Sequence, residues 1–141
     1  PDSDGSAFEL NKKIKKYNLT DSIFIKEPVF GVEQKRELFK KYEYSILPSK
    51  NENFGYSILE SLRHSLPVIT NTNTPWSKIN DYNAGFYIMD DTEALKQTLL
   101  KVFSSSNEEI LEKSQNAYKL SKQYEWGSVI KKYEEMYYSL I

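Results

Sequence analysis

The chain of 141 residues has no cysteine and a single histidine. Without cysteine there is neither a disulfide framework nor a thiolate metal site. A dominant charge of one sign is also missing, because 19 Lys and Arg face 20 Asp and Glu and leave a net charge of −1. That balance argues against a bulk electrostatic grip on nucleic acid. No apolar run approaches the ~20 residues of a membrane-spanning helix. There is no internal repeat and no low-complexity linker. What remains is an ordinary mixture, 39% hydrophobic and 28% charged, in a chain long enough to bury a core as one domain.

The spacing of the apolar residues alternates between helix and strand. Phe8, Leu10, Ile14 and Tyr17 predict a first helix, closed near Asn18. Ile23-Phe24-Ile25 predicts a short strand, and Glu33 to Tyr42 a helix with Leu38 and Phe39 inward. Tyr44 to Leu47 reads as a strand stopped by Pro48, and Ser57 to Leu66 as a helix. Pro67 to Thr70 and Gly85 to Ile88 read as further strands. Helices follow over Thr92–Phe103, Glu108–Lys122 and Trp126–Ile141. The last has Trp126, Val129, Ile130, Tyr133, Met136, Tyr137 and Leu140 on one stripe, a face too apolar to be left bare, so the helix is expected to be needed for solubility.

Short strands alternating with helices predict an α/β fold, a Rossmann-like open parallel sheet flanked by helices on both faces. In such sheets ligands bind beyond the carboxyl ends of the strands. Two loops fall there, Ser49–Asn53 and Asn71–Pro75, and they share one crevice wall if their strands are neighbours.

The stretch SKNENFGYSILE, Ser49 to Glu60, opens a helix between two glutamates. Asn53 is expected as its N-cap, with Phe54, Gly55 and Tyr56 forming the first turn. The backbone N–H groups of a first turn have no partner inside the helix and favour an anion such as phosphate. Gly55 would let a ligand approach the backbone closely. At about 100° per residue, Ile58, Leu59, Leu62 and Leu66 form one arc, and Glu60 points roughly 150° from its middle. A carboxylate placed so can accept two hydrogen bonds from a ribose diol. Diphosphate at the helix start, ribose at Glu60 and a sugar near Glu52 is the order of a nucleotide-sugar. Singly, each part has a plainer reading. Phe54 suits a core, Gly55 a turn, and His64 a solvent-facing helix end.

Together these residues resemble a known family. Pro48-Ser49, Glu52-x-Phe54-Gly55-x-x-x-Leu59-Glu60 and Pro67-Val68-Ile69 are similar to the donor-site signature of the group 1 glycosyltransferases, family 4 type. The likeness runs on through Thr74-Pro75-Trp76, Gly85-Phe86 and Tyr124-x-Trp126. It implies a retaining enzyme of the GT-B fold, of which this chain is the carboxyl-terminal nucleotide-sugar-binding domain. By that likeness Glu52 is catalytic and supports the oxocarbenium-like transition state. Phe54 and Gly55 lie against sugar and phosphate, with Asn53 and Tyr56 beside them, and Glu60 binds the ribose. The likeness also implies that the terminal helix reaches towards another domain, with part of its apolar face uncovered in this chain. The resemblance further implies a UDP- or GDP-linked donor, no metal and no other cofactor, and a glycan or lipid-linked acceptor. The product would be a bacterial capsular or lipopolysaccharide glycan, made in the cytoplasm or at the inner membrane face.

Two positions depart from the family pattern, Asn53 and Ser65, where glycine is usual. Pro1–Gly5 resembles the loop after the second strand of the family's domain. The chain is therefore expected to begin late, without two strands, a basic Arg/Lys pair and the acceptor domain, and to be inactive alone. Ile23–Ile25 is then expected to pair directly with Tyr44–Leu47. The alternatives are edge-to-edge dimerisation of two chains, or a loosely held first segment. Two other functions compete: a non-catalytic nucleotide- or phosphate-binding module, and a response-regulator-like interaction domain. The second is disfavoured because no acidic cluster follows the first strand.

Overall fold

The computed structural model describes residues 5–140. Residues 1–4, most of the expected opening loop, and Ile141 lie outside the described residues. The chain divides into two compact units, one up to Gln34 and the other from Lys35 onward.

In the first unit, helix α1 spans Ser6–Lys16. Its last turn carries Lys13, Lys15 and Lys16, cations that suit the negative end of the helix dipole. It stops where Asn18 turns left-handed at φ 55°, and the Leu19 amide closes the end on the Ile14 carbonyl at 2.9 Å. Of the residues expected inward, Ile14 is buried, whereas Phe8, Leu10 and Tyr17 are exposed. Ile23, Phe24 and Ile25 are exposed and form no strand, so the expected pairing with Tyr44–Leu47 is not made. Three apolar residues supply few ladder bonds, and Pro28 soon follows with no N–H to donate. Helix α2, Val32–Phe39, carries the division between the units. It ends earlier than predicted, with Leu38 and Phe39 half-buried.

The second unit contains the sheet, with parallel strands β1 (Ser45–Leu47), β2 (Val68–Asn71) and β3 (Gly85–Ile88) in the order β1-β2-β3. Ile46 lies opposite Ile69, and Ile69 opposite Phe86. All four residues of β2 are buried, as a central parallel strand covered on both faces requires. Gly85 enters β3 at φ 146°, and a Cβ there would lie 2.0 Å from the Val68 carbonyl oxygen. Only the bare backbone of glycine fits this crossing.

Helix α3, Tyr56–Arg63, links β1 to β2 and buries Ile58, Leu59 and Leu62, three members of the predicted arc. Leu66, the fourth, is buried just beyond its end. The core joins these residues to Val68, to Trp76 and Ile79, and to Ala117 and Leu120 of helix α6, Asn107–Ser121. Sequence reading passed over the short helix α4, Lys78–Asp81, which brings in Ile79. Helix α5 runs over Thr92–Phe103, as predicted. The Asp91 side chain caps it by accepting the Ala94 amide at 2.7 Å. Ser106 and Glu109 form a reciprocal capping box at the start of α6. Helix α7, Trp126–Tyr138, follows a 3-10 turn at Lys122–Tyr124. Its apolar stripe, expected to be uncovered only in part, is exposed at Trp126, Ile130, Tyr133, Met136, Tyr137 and Leu140, while Val129 is half-buried. An amphipathic helix buries its stripe only where a second apolar surface meets it.

Candidate functional site

The two predicted loops do form one wall at the carboxyl end of the sheet. Side by side, β1 and β2 hold them together, and Thr70 Oγ1 donates to the Leu47 carbonyl at 2.8 Å. Beyond the strands, the Glu52 amide donates to the Asn73 carbonyl at 3.3 Å, and Asn73 Nδ2 donates to the Ser49 carbonyl at 3.3 Å. Glu52 is half-buried at this rim, and its Oε1 accepts from Ser49 Oγ at 3.3 Å.

The helix start lies two residues later than the sequence implied. Gly55, not Asn53, is the N-cap of α3. It adopts φ 76° and ψ 63°, a left-handed turn in which a Cβ would stand 3.0 Å from Ile58 Cδ1 and 3.2 Å from Trp76 Nε1. Its carbonyl takes the amides of Ile58 and Leu59 at 2.9 and 3.3 Å. Backbone geometry thus does the work that a side-chain cap would do, and Asn53 is left exposed. With Gly55 as N-cap, the first-turn amides are those of Tyr56 and Ser57, unpartnered among the described residues, and Phe54 lies before the helix.

Phe54 is held inward. Its carbonyl accepts the buried indole N–H of Trp76, and its ring lies 5.4 Å from that of Trp76 and 5.9 Å from that of Tyr124. The Tyr56 ring is 5.0 Å away and largely exposed. Burial pushes the Tyr124 phenol above its ordinary pKa, and the nearby Tyr82 adds to the shift.

Glu60 faces away from the core, as its helical angle predicts. It lines a depression of about 430 Å³ with Lys35, Tyr56, Ser57, Arg63 and His64. Lys35 Nζ donates to Glu60 Oε1 at 2.7 Å. His64, expected to face solvent, is half-buried, with its ring stacked on Phe39 at 4.8 Å. Ser65 explains why glycine suits its position. It turns left-handed at φ 60° and lets the Leu66 amide reach back to the Ser61 carbonyl at 3.0 Å, closing α3.

Tyr56 and Glu60 therefore share one depression, Glu52 sits apart from it on the loop wall, and Phe54 and Gly55 support the turn between them. Lys35 and Arg63 were missed from sequence. Arg63 lies one turn beyond Glu60, a spacing that could have flagged it, whereas Lys35 is 25 positions away and gave no signal. Among the described residues, no group of three or more His, Asp and Glu side chains comes together as a metal site, and no helix is long and apolar enough to cross a membrane.

A three-strand parallel sheet flanked by helices, with one helix opening beside its carboxyl end, is a Rossmann-like α/β arrangement. Comparison narrows it: the family described as "Glycosyl transferases group 1" matches residues 4–123. The chain belongs to that family of glycosyltransferases. No curated protein matches it.

Proposed function

We propose that this chain is the donor-binding part of a retaining glycosyltransferase that uses a nucleoside-diphosphate sugar to extend a bacterial polysaccharide or lipopolysaccharide. One observation carries the reading: Glu60 lines an open depression with Tyr56 and Ser57, whose amides have no partner among the described residues at the start of the same helix. A ribose diol donating to Glu60 would place its diphosphate against those amides, where the helix carries roughly half a positive charge. Lys35 and Arg63 supply positive charge in the same depression. Glu52, on the adjoining loop wall, would face the sugar and stabilise positive charge developing at its anomeric carbon. No step in this scheme calls on a metal ion.

The test is calorimetry with UDP and GDP on the chain and on Glu60→Ala. Losing a charge-assisted hydrogen bond costs about 1.5–3 kcal/mol, so affinity should fall about tenfold or more. Equal affinities with an intact fold would remove Glu60 from the ribose site.

A further inference from the structure

A hydrogen-bonded path at the carboxyl end of the sheet joins β3 to the loop that carries Glu52. Asp90, just past β3, accepts two amide donors at 2.7 Å each, Asn71 Nδ2 on Oδ1 and Asn73 Nδ2 on Oδ2. Asn71 is 1% exposed at the last position of β2. Among the described residues its own Oδ1 meets no donor, so Asp90 is the partner that fixes this side chain. Asn73 hands the path on. Its Nδ2 also reaches the Ser49 carbonyl, and its own carbonyl takes the Glu52 amide, both at 3.3 Å. Hydrogen bonds to a charged acceptor are the shorter and stronger kind. The strong bonds therefore lie at Asp90, and the weaker ones hold the Glu52 loop at two points. The neighbouring Asp91 has a separate duty, capping α5.

We propose that Asp90 is a positioning residue for Glu52, setting the place of that carboxylate through Asn73. For what Glu52 does, this rests on the donor-site reading above; the linkage itself rests on the hydrogen bonds alone. Asp90 touches no substrate in this scheme.

The experiment compares Asp90→Asn and Asp90→Ala with the unaltered chain. Asparagine keeps the shape of Asp90 but turns an NH2 toward one of two amide donors, so one bond is lost. Amide hydrogen exchange is followed at Glu52 and at Ser45, whose N–H bonds the Pro67 carbonyl at 2.9 Å. Glu52 should exchange about tenfold faster in Asp90→Ala and by no more than that in Asp90→Asn, with Ser45 unchanged. In a second arm, the preference for a nucleoside-diphosphate sugar over the bare nucleoside diphosphate should fall about threefold or more, while affinity for the bare nucleotide holds. Asn73→Ala cuts the same path within a loop and should behave alike. Unchanged exchange at Glu52 would overturn the proposal. So would equal acceleration at Glu52 and Ser45, which marks a merely structural role. If the unaltered chain binds no nucleotide, the donor-site reading fails, and the exchange arm still decides the linkage.

Discussion

Lys35 Nζ stands 2.7 Å from Glu60 Oε1, with the two side chains 36% and 38% exposed. A pair this wet contributes at most about 1 kcal/mol to stability. On the donor-site proposal its effect lies in posture, since Lys35 engages one oxygen of Glu60 and the other would be left for the ribose. Lys35→Ala should lower the melting temperature by less than about 4 °C. Nucleotide affinity should drop about two- to fivefold, less than for Glu60→Ala. A loss exceeding that of Glu60→Ala would mean that Lys35 itself meets the ligand.

Glu52→Gln keeps the shape of the side chain and its contact with Ser49, and removes the charge. In the active transferase kcat should fall by about 100-fold or more while nucleotide affinity stays within about twofold. Steady-state kinetics with calorimetry would separate the two quantities. An unchanged kcat would take Glu52 out of the chemistry.

Two backbone positions should respond in opposite directions. Ser65→Gly relieves a left-handed residue at φ 60° and should stabilise the chain by about 1 kcal/mol, read as a melting temperature raised by a few degrees. Gly85→Ala places a methyl 2.0 Å from the Val68 carbonyl oxygen and should abolish the cooperative transition by forcing β2 and β3 apart. A Gly85→Ala chain that melted like the parent would contradict the close approach of Gly85 to Val68.

Alkaline pH should loosen the second unit. The phenols of Tyr44 and Tyr124 are both pushed up, first of all by burial. A raised folded-state pKa means that the neutral form is favoured in the fold. The stability gained is therefore complete below the ordinary value near 10 and is lost as pH climbs through the folded value. Denaturant midpoints should fall above about pH 10. Tyr124→Phe, which keeps the ring 4.8 Å from Trp76, should flatten part of that fall. A midpoint that held at high pH would show these phenols ionising freely.

Where apolar spacing and a cap agreed, the sequence was a sound guide. Thr92–Phe103 begins at Asp91, which caps it, and the arc of Ile58, Leu59, Leu62 and Leu66 is buried as a helical projection requires. Alternation of elements placed two loops at the carboxyl ends of their strands, and the pairing of β1 with β2 met the condition on which they share one wall. The start of α3 was misplaced because capping residues advertise themselves through side chains, whereas this cap is the left-handed backbone of Gly55. Ile23–Ile25 shows the limit of a short apolar run, since a strand exists only with a partner. The ion pair of Lys35 with Glu60 and the path from Asp90 to Glu52 link residues distant in the chain, and nothing local encodes them.

The buried bond from Trp76 to the Phe54 carbonyl makes the helix start optically visible. The chain has two tryptophans, and they sit in opposite surroundings: Trp76 is 1% exposed and Trp126 is 80% exposed. Their emissions should separate into a blue component that iodide cannot quench and a red one that it can. The blue component belongs to an indole whose N–H is tied one residue before Gly55. Anything settling on the first turn of α3 would shift it without a label, and Trp126→Phe would leave that signal alone in the spectrum.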